Sequence, residues 1–283
     1  MDLLVPVSEA ERTRGELNSA TARAAYAALA NWGAVILRGA FATGTIDGLR
    51  SEFAAQFGGQ DLAGMKALAD QPPPTAVTEV GLARFEIVLR MAGAFGPQIY
   101  ANPIITKLLA PLMGGDMRLS GFTAVASYPG ADAQRMHRDH AHLFGDRGVG
   151  PQLPVYAVNV AVPLVDVDEQ TGPTALWPGS HRWPDGVQPP PNSMAVLPFQ
   201  RGDAILIDYR TAHAGMPNQS AAARPILYMV YARPWFFDDV NHPGRSPLNM
   251  DLAEFSALPD ETKPLLLRAY AQAMRARFLA GQD

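Results

Sequence analysis

From Met117 to Trp235 the chain is a succession of short apolar runs, MRLSGFTAVASYPG, VYAVNVAVPLVD, TALWP, MAVLPF, DAILIDY and RPILYMVYARPW, each closed off by Gly, Pro or Asp. Runs this short, and this rich in Val, Ile, Tyr and Phe, read as strands, because the breaks between them leave no room for long helices. Many short strands without intervening helices bury their apolar faces by closing into two facing sheets. The expected fold is therefore mainly β with flanking helices, a double-stranded β-helix or jelly-roll barrel over about residues 117–235. Before it, residues 8–31 carry Ala, Leu and Tyr at helical spacing after Ser8, GAVILRGAF reads as one short strand, and Thr45 is placed to cap a helix through Phe57. Pro103 to Met113 and Asp260 to Leu279 also read as helices, so helical segments (about 8–113 and 260–279) pack on the barrel and residues 1–283 form one domain. No internal repeat is present, and VQPPPNS at 187–193 reads as a stiff loop, since strands continue on both sides of it.

Composition narrows the chemistry. A net charge of −4 with no stripe of Lys and Arg argues against nucleic acid as a partner, because phosphate binding needs concentrated positive charge. Cysteine is absent, which excludes disulfides, thiolate zinc sites and thiol nucleophiles, so any metal is held by His, Asp or Glu. The opening MDLLVPVSEAERTRGEL lacks the basic-then-apolar order of a signal peptide, and no apolar run approaches the roughly 18 residues of a membrane span. A soluble cytoplasmic protein without membrane contact is expected.

In QRMHRDH, His137 and Asp139 are two residues apart, and in an extended segment such residues share a face while Arg138 points away. Alone the pair reads more readily as a surface turn with satisfied polar groups. About seventy positions on, DAILIDYRTAHAG delivers His213 at a strand end, and Arg224 opens the next strand. Two nitrogens and one carboxylate close three positions around a first-row metal and leave the opposite face open. Hairpin pairing of the two strands would aim Arg224 into the same cavity, where a buried guanidinium needs an anion. That anion is either a 2-oxo acid or an Asp of the chain, such as Asp208. A rival metal set, His140, His142, Asp146 and His213, has a cupin-like order but leaves Arg224 without a role and offers Asp where cupins want Glu. HRD also occurs in protein kinases, but Phe144 stands where their Asn is required, and neither D-F-G nor G-x-S-x-G is present. Of the other histidines, His140 and His142 are expected at the pocket mouth, His181 reads as structural and His242 has no role. Trp177, Trp183, Trp235, Phe236 and Phe144 are candidates for shaping a substrate pocket.

The run EQTGPTALWPGSHRW from Glu169 to Trp183, with HRD before it and H-x-G then Arg after it, resembles the phytanoyl-CoA dioxygenase-like (PhyH) family of Fe(II)/2-oxoglutarate-dependent oxygenases over roughly residues 33–235. The resemblance implies Fe(II) on His137, Asp139 and His213, with 2-oxoglutarate as co-substrate and its C5 carboxylate on Arg224. Gln134, Thr174 and Asn159 match secondary co-substrate contacts, and Thr171 stands where family members often carry Asn. The implied activity is oxidation of a C–H bond of a small organic molecule by O2, with release of succinate and CO2. Hydroxylation is the default outcome, beside desaturation, cyclisation and epimerisation. Halogenating relatives replace the carboxylate ligand by a small residue, whereas Asp139 is retained here. Without a basic cluster, a secondary metabolite fits better than a CoA thioester. The alternatives are a cupin-type metal dioxygenase that does not use 2-oxoglutarate and a non-catalytic barrel that only binds.

Overall fold

A computed structural model describes residues 2–281 apart from 72–75, 146–147, 185, 188, 191, 197 and 243–244. The chain begins with β1 (Leu4–Pro6), α1 (Glu9–Arg14), α2 (Ser19–Trp32), β2 (Ala34–Arg38), α3 (Thr43–Phe57) and α4 (Leu62–Ala69). A hairpin of β3 (Val77–Gly81) and β4 (Arg84–Val88) leads to α5 (Pro97–Tyr100) and α6 (Pro103–Met113). Then come β5 (Arg118–Ser127), β6 (Ala157–Pro163), β7 (Thr174–Leu176), β8 (Ala195–Val196), β9 (Ala204–Asp208), β10 (His213–Gly215) and β11 (Arg224–Ala232). The last elements are α7 (Leu252–Ser256) and α8 (Leu267–Ala280).

Local chemistry explains the helix boundaries. Ser8 and Glu11 form a reciprocal capping box at the start of α1. Gly15, left-handed at φ 65°, ends that helix, so the run read as one helix over 8–31 is two, the second starting from the Asn18 cap. Helix α3 starts at Thr43 after Ala42, two residues ahead of the expected Thr45 cap. Asn102 caps α6, whose span is the expected one. At the C-terminal end the helix expected from Asp260 starts only at Leu267, after a 3-10 turn at Lys263–Leu266, and α7 is an addition. No helix among the described residues is long and apolar enough to cross a membrane.

Eight strands form one sheet in the order β1-β2-β9-β6-β11-β5-β4-β3, and β10-β7-β8 form a second. This is the jelly-roll arrangement, but β1 and β3 are edges of the large sheet, which is open and not a closed barrel. The first third is also less helical than its sequence reads, because β1, β3 and β4 join β2 in contributing to that sheet.

The alternation of strand side chains sorts the residues between the two faces. Phe85 and Ile87 of β4, Ala124 and Ala126 of β5, Val158, Val160 and Val162 of β6, and Leu227, Met229 and Tyr231 of β11 belong to one apolar core with α2, α3 and α6. Their neighbours in sequence, Glu86, Thr123, Val125, Asn159, Tyr228 and Val230, line a cavity on the inner side. Nearer β1, that inner side is apolar, with Ile36, Ala161, Ile205 and Ile226 packed against Leu176 and Ala195 of the small sheet. A one-residue slip of any strand would exchange the two sets, so burial of the helix-facing valines and leucines also fixes which polar groups face the cavity.

Where β9 ends, Asp208 receives two bonds from the Arg210 guanidinium, Nε to Oδ1 at 2.9 Å and Nη2 to Oδ2 at 2.6 Å, with both side chains no more than 3% exposed. Removing one partner of such a pair strands the other charge in a site without water. Asp208→Ala is therefore expected to lower the free energy of unfolding by about 3–5 kcal/mol in a urea titration.

Candidate metal centre

Strand β10 pairs with β7, not with β11, so the hairpin expected to join His213 to Arg224 does not form. The partner of His213 is instead the segment that follows β5. His137 N–H donates to the His213 carbonyl at 3.0 Å and His213 N–H donates back at 2.8 Å, forming an isolated antiparallel bridge. Three residues earlier, Gln134 N–H donates to the Gly215 carbonyl at 2.8 Å, and Gly215 N–H donates to Gln134 Oε1 at 2.8 Å. These four bonds close the gap between the two motifs and bring the imidazoles together, ring centroids 4.5 Å apart and planes tilted by 51°.

Each imidazole is oriented by its own backbone. Nδ1 of His137 lies 3.0 Å from the Arg135 carbonyl, and Nδ1 of His213 lies 3.0 Å from the Thr211 carbonyl. A carbonyl only accepts, so each Nδ1 carries the proton and each Nε2 keeps its lone pair for a metal. Burial, helped by the neighbouring His213, holds His137 below the usual histidine range, which favours the neutral form. Asp139 Oδ1 sits 3.5 Å from His213 Nε2, and donor atoms of His137, Asp139 and His213 lie within 4.8 Å of one another. Among the described residues this is the one cluster of three or more such donors. Two imidazoles and a carboxylate on one side of a cavity are the donor set of a facial triad, whose open positions suit Fe(II).

Gln134, Asn159 and Thr174 line the same cavity of about 230 Å³ as the triad. Arg224 lies behind them, 3% exposed, donating to Ser127 Oγ at 2.6 Å and to the Gly172 carbonyl, while its Nε is buried without a partner. Asp208 is spent on Arg210, and among the described residues no carboxylate pairs with Arg224. A second guanidinium, which the sequence reading did not single out, reaches the same hydroxyl. Arg84 on β4 is 3% exposed and donates from Nε to Ser127 Oγ at 3.0 Å and from Nη2 to the Asp132 carbonyl at 2.9 Å. It also lacks a carboxylate partner among the described residues. Register explains the convergence, since both Arg84 and Arg224 stand opposite Ser127 on adjacent strands. Burial holds both below the ordinary arginine value. Two buried cations without a counter-anion, beside a metal triad, match a small dicarboxylate.

The sequence signature described as phytanoyl-CoA dioxygenase (PhyH) matches residues 29–226. The chain belongs to the phytanoyl-CoA dioxygenase (PhyH) family. Among curated relatives, dioxygenase af480 of Aspergillus fumigatus is 31% identical over 145 residues, covering 50% of this chain and 46% of that protein. The iron/alpha-ketoglutarate-dependent dioxygenase okaE of Penicillium ochrochloron is 29% identical over 128 residues, covering 44% of this chain and 43% of that protein. The chain thus spans about half the length of the curated relatives it matches. In overall fold it is similar to SnoN, a non-heme alpha-ketoglutarate-dependent epimerase from nogalamycin biosynthesis, with a TM-score of 0.59 at 21% identity over 82% of this chain and 92% of that one.

Within this PhyH chain the remaining candidates separate clearly. Asn159 donates from Nδ2 to Asp139 Oδ2 at 3.2 Å, and Asn241 Nδ2 donates to the Asp139 backbone carbonyl at 2.6 Å, so the side chain and the backbone of Asp139 are each held by an amide. Thr171, in place of the common Asn, still makes the turn. Its hydroxyl meets Asp168 N–H at 2.8 Å and its N–H meets Asp168 Oδ1 at 2.9 Å. Gly172 follows at φ 83°, where a Cβ would lie 2.4 Å from the Pro217 carbonyl oxygen.

His140 and His142 do not line the metal cavity. His140 meets the Ala141 carbonyl and the Phe236 ring edge, and His142 is buried against the Trp183 carbonyl at 3.0 Å. The expected mouth position is thus corrected, and the cupin-like set does not assemble from these two, while its Asp146 lies outside the described residues. His181 is structural as read, buried against the Ala30 carbonyl at 3.3 Å. None of the five expected aromatics lines the cavity; Tyr209 and Tyr228 do, because both stand near inward-facing strand positions that carry no motif. His242, given no role by sequence, also lines it.

Groups that orient a ligand typically cost 10–100-fold in metal affinity when removed. Asn159→Ala is expected to weaken Mn(II) binding by about 10–100-fold in an electron paramagnetic resonance titration, and His213→Ala to lose it.

Proposed function

We propose that this chain is a non-haem Fe(II)- and 2-oxoglutarate-dependent oxygenase that oxidises a C–H bond of a small organic molecule. The observation that carries the reading is the His137, Asp139 and His213 donor cluster on one cavity, together with two buried guanidiniums, without carboxylate partners among the described residues, that meet at Ser127, two residues beyond the cavity-lining Val125. When bound, iron and the 2-oxo acid together supply an oxidant from O2, with succinate and CO2 as by-products.

The chain's own residues bind, orient and exclude water. His137 and His213 offer Nε2 from rings already fixed through Nδ1, and Asp139 offers Oδ1 from a carboxylate held by Asn159. Arg224 receives the distal carboxylate of the co-substrate, and Arg84, sharing Ser127 with it, adds a second positive charge at that end. Gln134, which lines the cavity, has its carbonyl oxygen committed to Gly215, which leaves its amide N–H groups as donors. Thr174 and Tyr228 share the cavity wall, and burial keeps the Tyr228 phenol protonated. Asn159 keeps a buried Oδ1 without a protein partner, available to a bound group.

The reading resembles what the names of okaE and SnoN say of those proteins, an iron/alpha-ketoglutarate-dependent dioxygenase and a non-heme alpha-ketoglutarate-dependent epimerase. A secondary metabolite is the substrate class we favour, in a soluble cytoplasmic protein of one domain. Because Asp139 occupies the position a halide would need, the product gains oxygen or loses hydrogen and carries no chlorine.

Truncating one partner of a buried charge pair leaves the other unpaired, at a cost of about 2–5 kcal/mol. Arg224→Ala is accordingly expected to weaken 2-oxoglutarate binding by that amount in calorimetry on Mn(II)-loaded protein, with metal affinity changed far less. Unaltered 2-oxoglutarate affinity would remove Arg224 from the site. Formation of succinate that depends on an added small molecule, under Fe(II) and O2, tests the activity; a barrel that only binds would release none.

A further inference from the structure

The polar groups of the metal cavity fall into two sets. One set is accounted for by metal and co-substrate. The other, formed by Glu86 on β4 with His242 and Arg245 from the segment after β11, has no part in either. Glu86 and Arg245 pair with one another, which leaves His242 as the polar group of this set without a partner among the described residues.

Their mutual geometry is specific. Arg245 donates to Glu86 Oε2 and, from Nη1, to Thr78 Oγ1 at 2.8 Å, so the guanidinium neutralises the carboxylate and ties the segment to the β3–β4 hairpin. His242 Nδ1 lies 3.8 Å from the same Oε2, beyond hydrogen-bond reach, and is buried without a partner. Burial lowers the His242 pKa, so the ring is neutral and one nitrogen carries a single proton. Both atoms lie within hydrogen-bond reach of a single oxygen set beside them, and with the ring proton on Nδ1 that oxygen has to donate to the carboxylate and accept from the imidazole. A hydroxyl does both, an ether or ketone oxygen only accepts, and a substrate carboxylate would face Glu86 with like charge.

We propose that Glu86 and His242 form a hydroxyl-recognising subsite, so that the substrate is a neutral alcohol. Its hydroxyl donates to Glu86 Oε2 and accepts from His242 Nδ1, leaving a neighbouring C–H bond facing His137, Asp139 and His213. Arg245 is a positioning residue that holds the carboxylate in place. The cavity, about 230 Å³, is smaller than pockets that enclose whole drug-sized ligands, about 300–1,000 Å³, and also receives the co-substrate. The body of the alcohol therefore extends past His242 and Arg245, which also line an adjoining cavity of about 680 Å³ bordered by Phe237 and Leu279. The subsite rests on the oxygenase reading above, since it places the alcohol against that metal site.

The test uses the full chain loaded with Zn(II), which is diamagnetic and does not turn over, and with 2-oxoglutarate. Saturation-transfer NMR then compares cyclohexanol and menthol with their methyl ethers and the corresponding ketones. Each alcohol is expected to bind at least about ten-fold tighter than its ether and ketone, because a site built around a hydroxyl is left with unpaired groups by an analogue that lacks it. His242→Phe, which keeps the ring volume, and Glu86→Gln should each bring that ratio close to one, with thermal unfolding showing that both variants remain folded. Equal binding of alcohol, ether and ketone, a preference that survives His242→Phe, or no binding by either alcohol would each overturn the subsite. Binding of 2-oxoglutarate to the same native sample is measured first. Its absence contradicts the oxygenase reading, whereas its presence without an alcohol preference overturns the subsite alone.

Discussion

The site depends on the two backbone hydrogen bonds that His137, in the segment after β5, and His213, on β10 of the small sheet, exchange. A metal triad drawn from positions so far apart in sequence needs some device that fixes one motif against the other before any metal arrives. Here the bridge does so with backbone groups that must be paired in any case, and Gln134 extends it by one more rung to Gly215. The two imidazoles then need only their own preceding carbonyls to aim Nε2 inward. Little orienting work would be left to a metal.

A second constraint is the shared hydroxyl of Ser127. Like charges brought together in the interior repel, and the chain tolerates Arg84 and Arg224 by giving them one neutral acceptor between them and backbone carbonyls beyond it. The arrangement leaves positive charge uncancelled behind Gln134 and Thr174. Two residues along β4 the balance differs, with Glu86 cancelled by Arg245. Under the proposed reading an anion is drawn to the arginines and an uncharged polar group to Glu86.

How much of this was legible depends on the distance over which each feature is encoded. The strands from Met117 to Trp235, the jelly-roll arrangement, His137, Asp139, His213 and the isolated Arg224 all sit in runs whose punctuation or spacing is visible in sequence. The β3–β4 hairpin was not, because VTEVGLARFEIV lies among helical segments and its alternation gains meaning only when β4 pairs with β5, some forty residues later. Arg84 and Glu86, two apart on the inward face of that strand, were lost with it. His242 and Asn241 sit in a loop where no periodicity operates, and tertiary packing alone brings them to Glu86 and Asp139. The failed hairpin between His213 and Arg224 has the same origin: nearness in sequence implied pairing, while β10 found β7 in the opposite sheet.

The most direct test of the account is a crystal structure of the protein grown without oxygen in Fe(II) and 2-oxoglutarate. The account predicts one iron bonded to His137 Nε2, Asp139 Oδ1 and His213 Nε2, with the distal carboxylate of 2-oxoglutarate in hydrogen-bond contact with the Arg224 guanidinium and Arg84 close behind. Iron on any other set of side chains, or a co-substrate whose distal carboxylate lies away from both arginines, would contradict it.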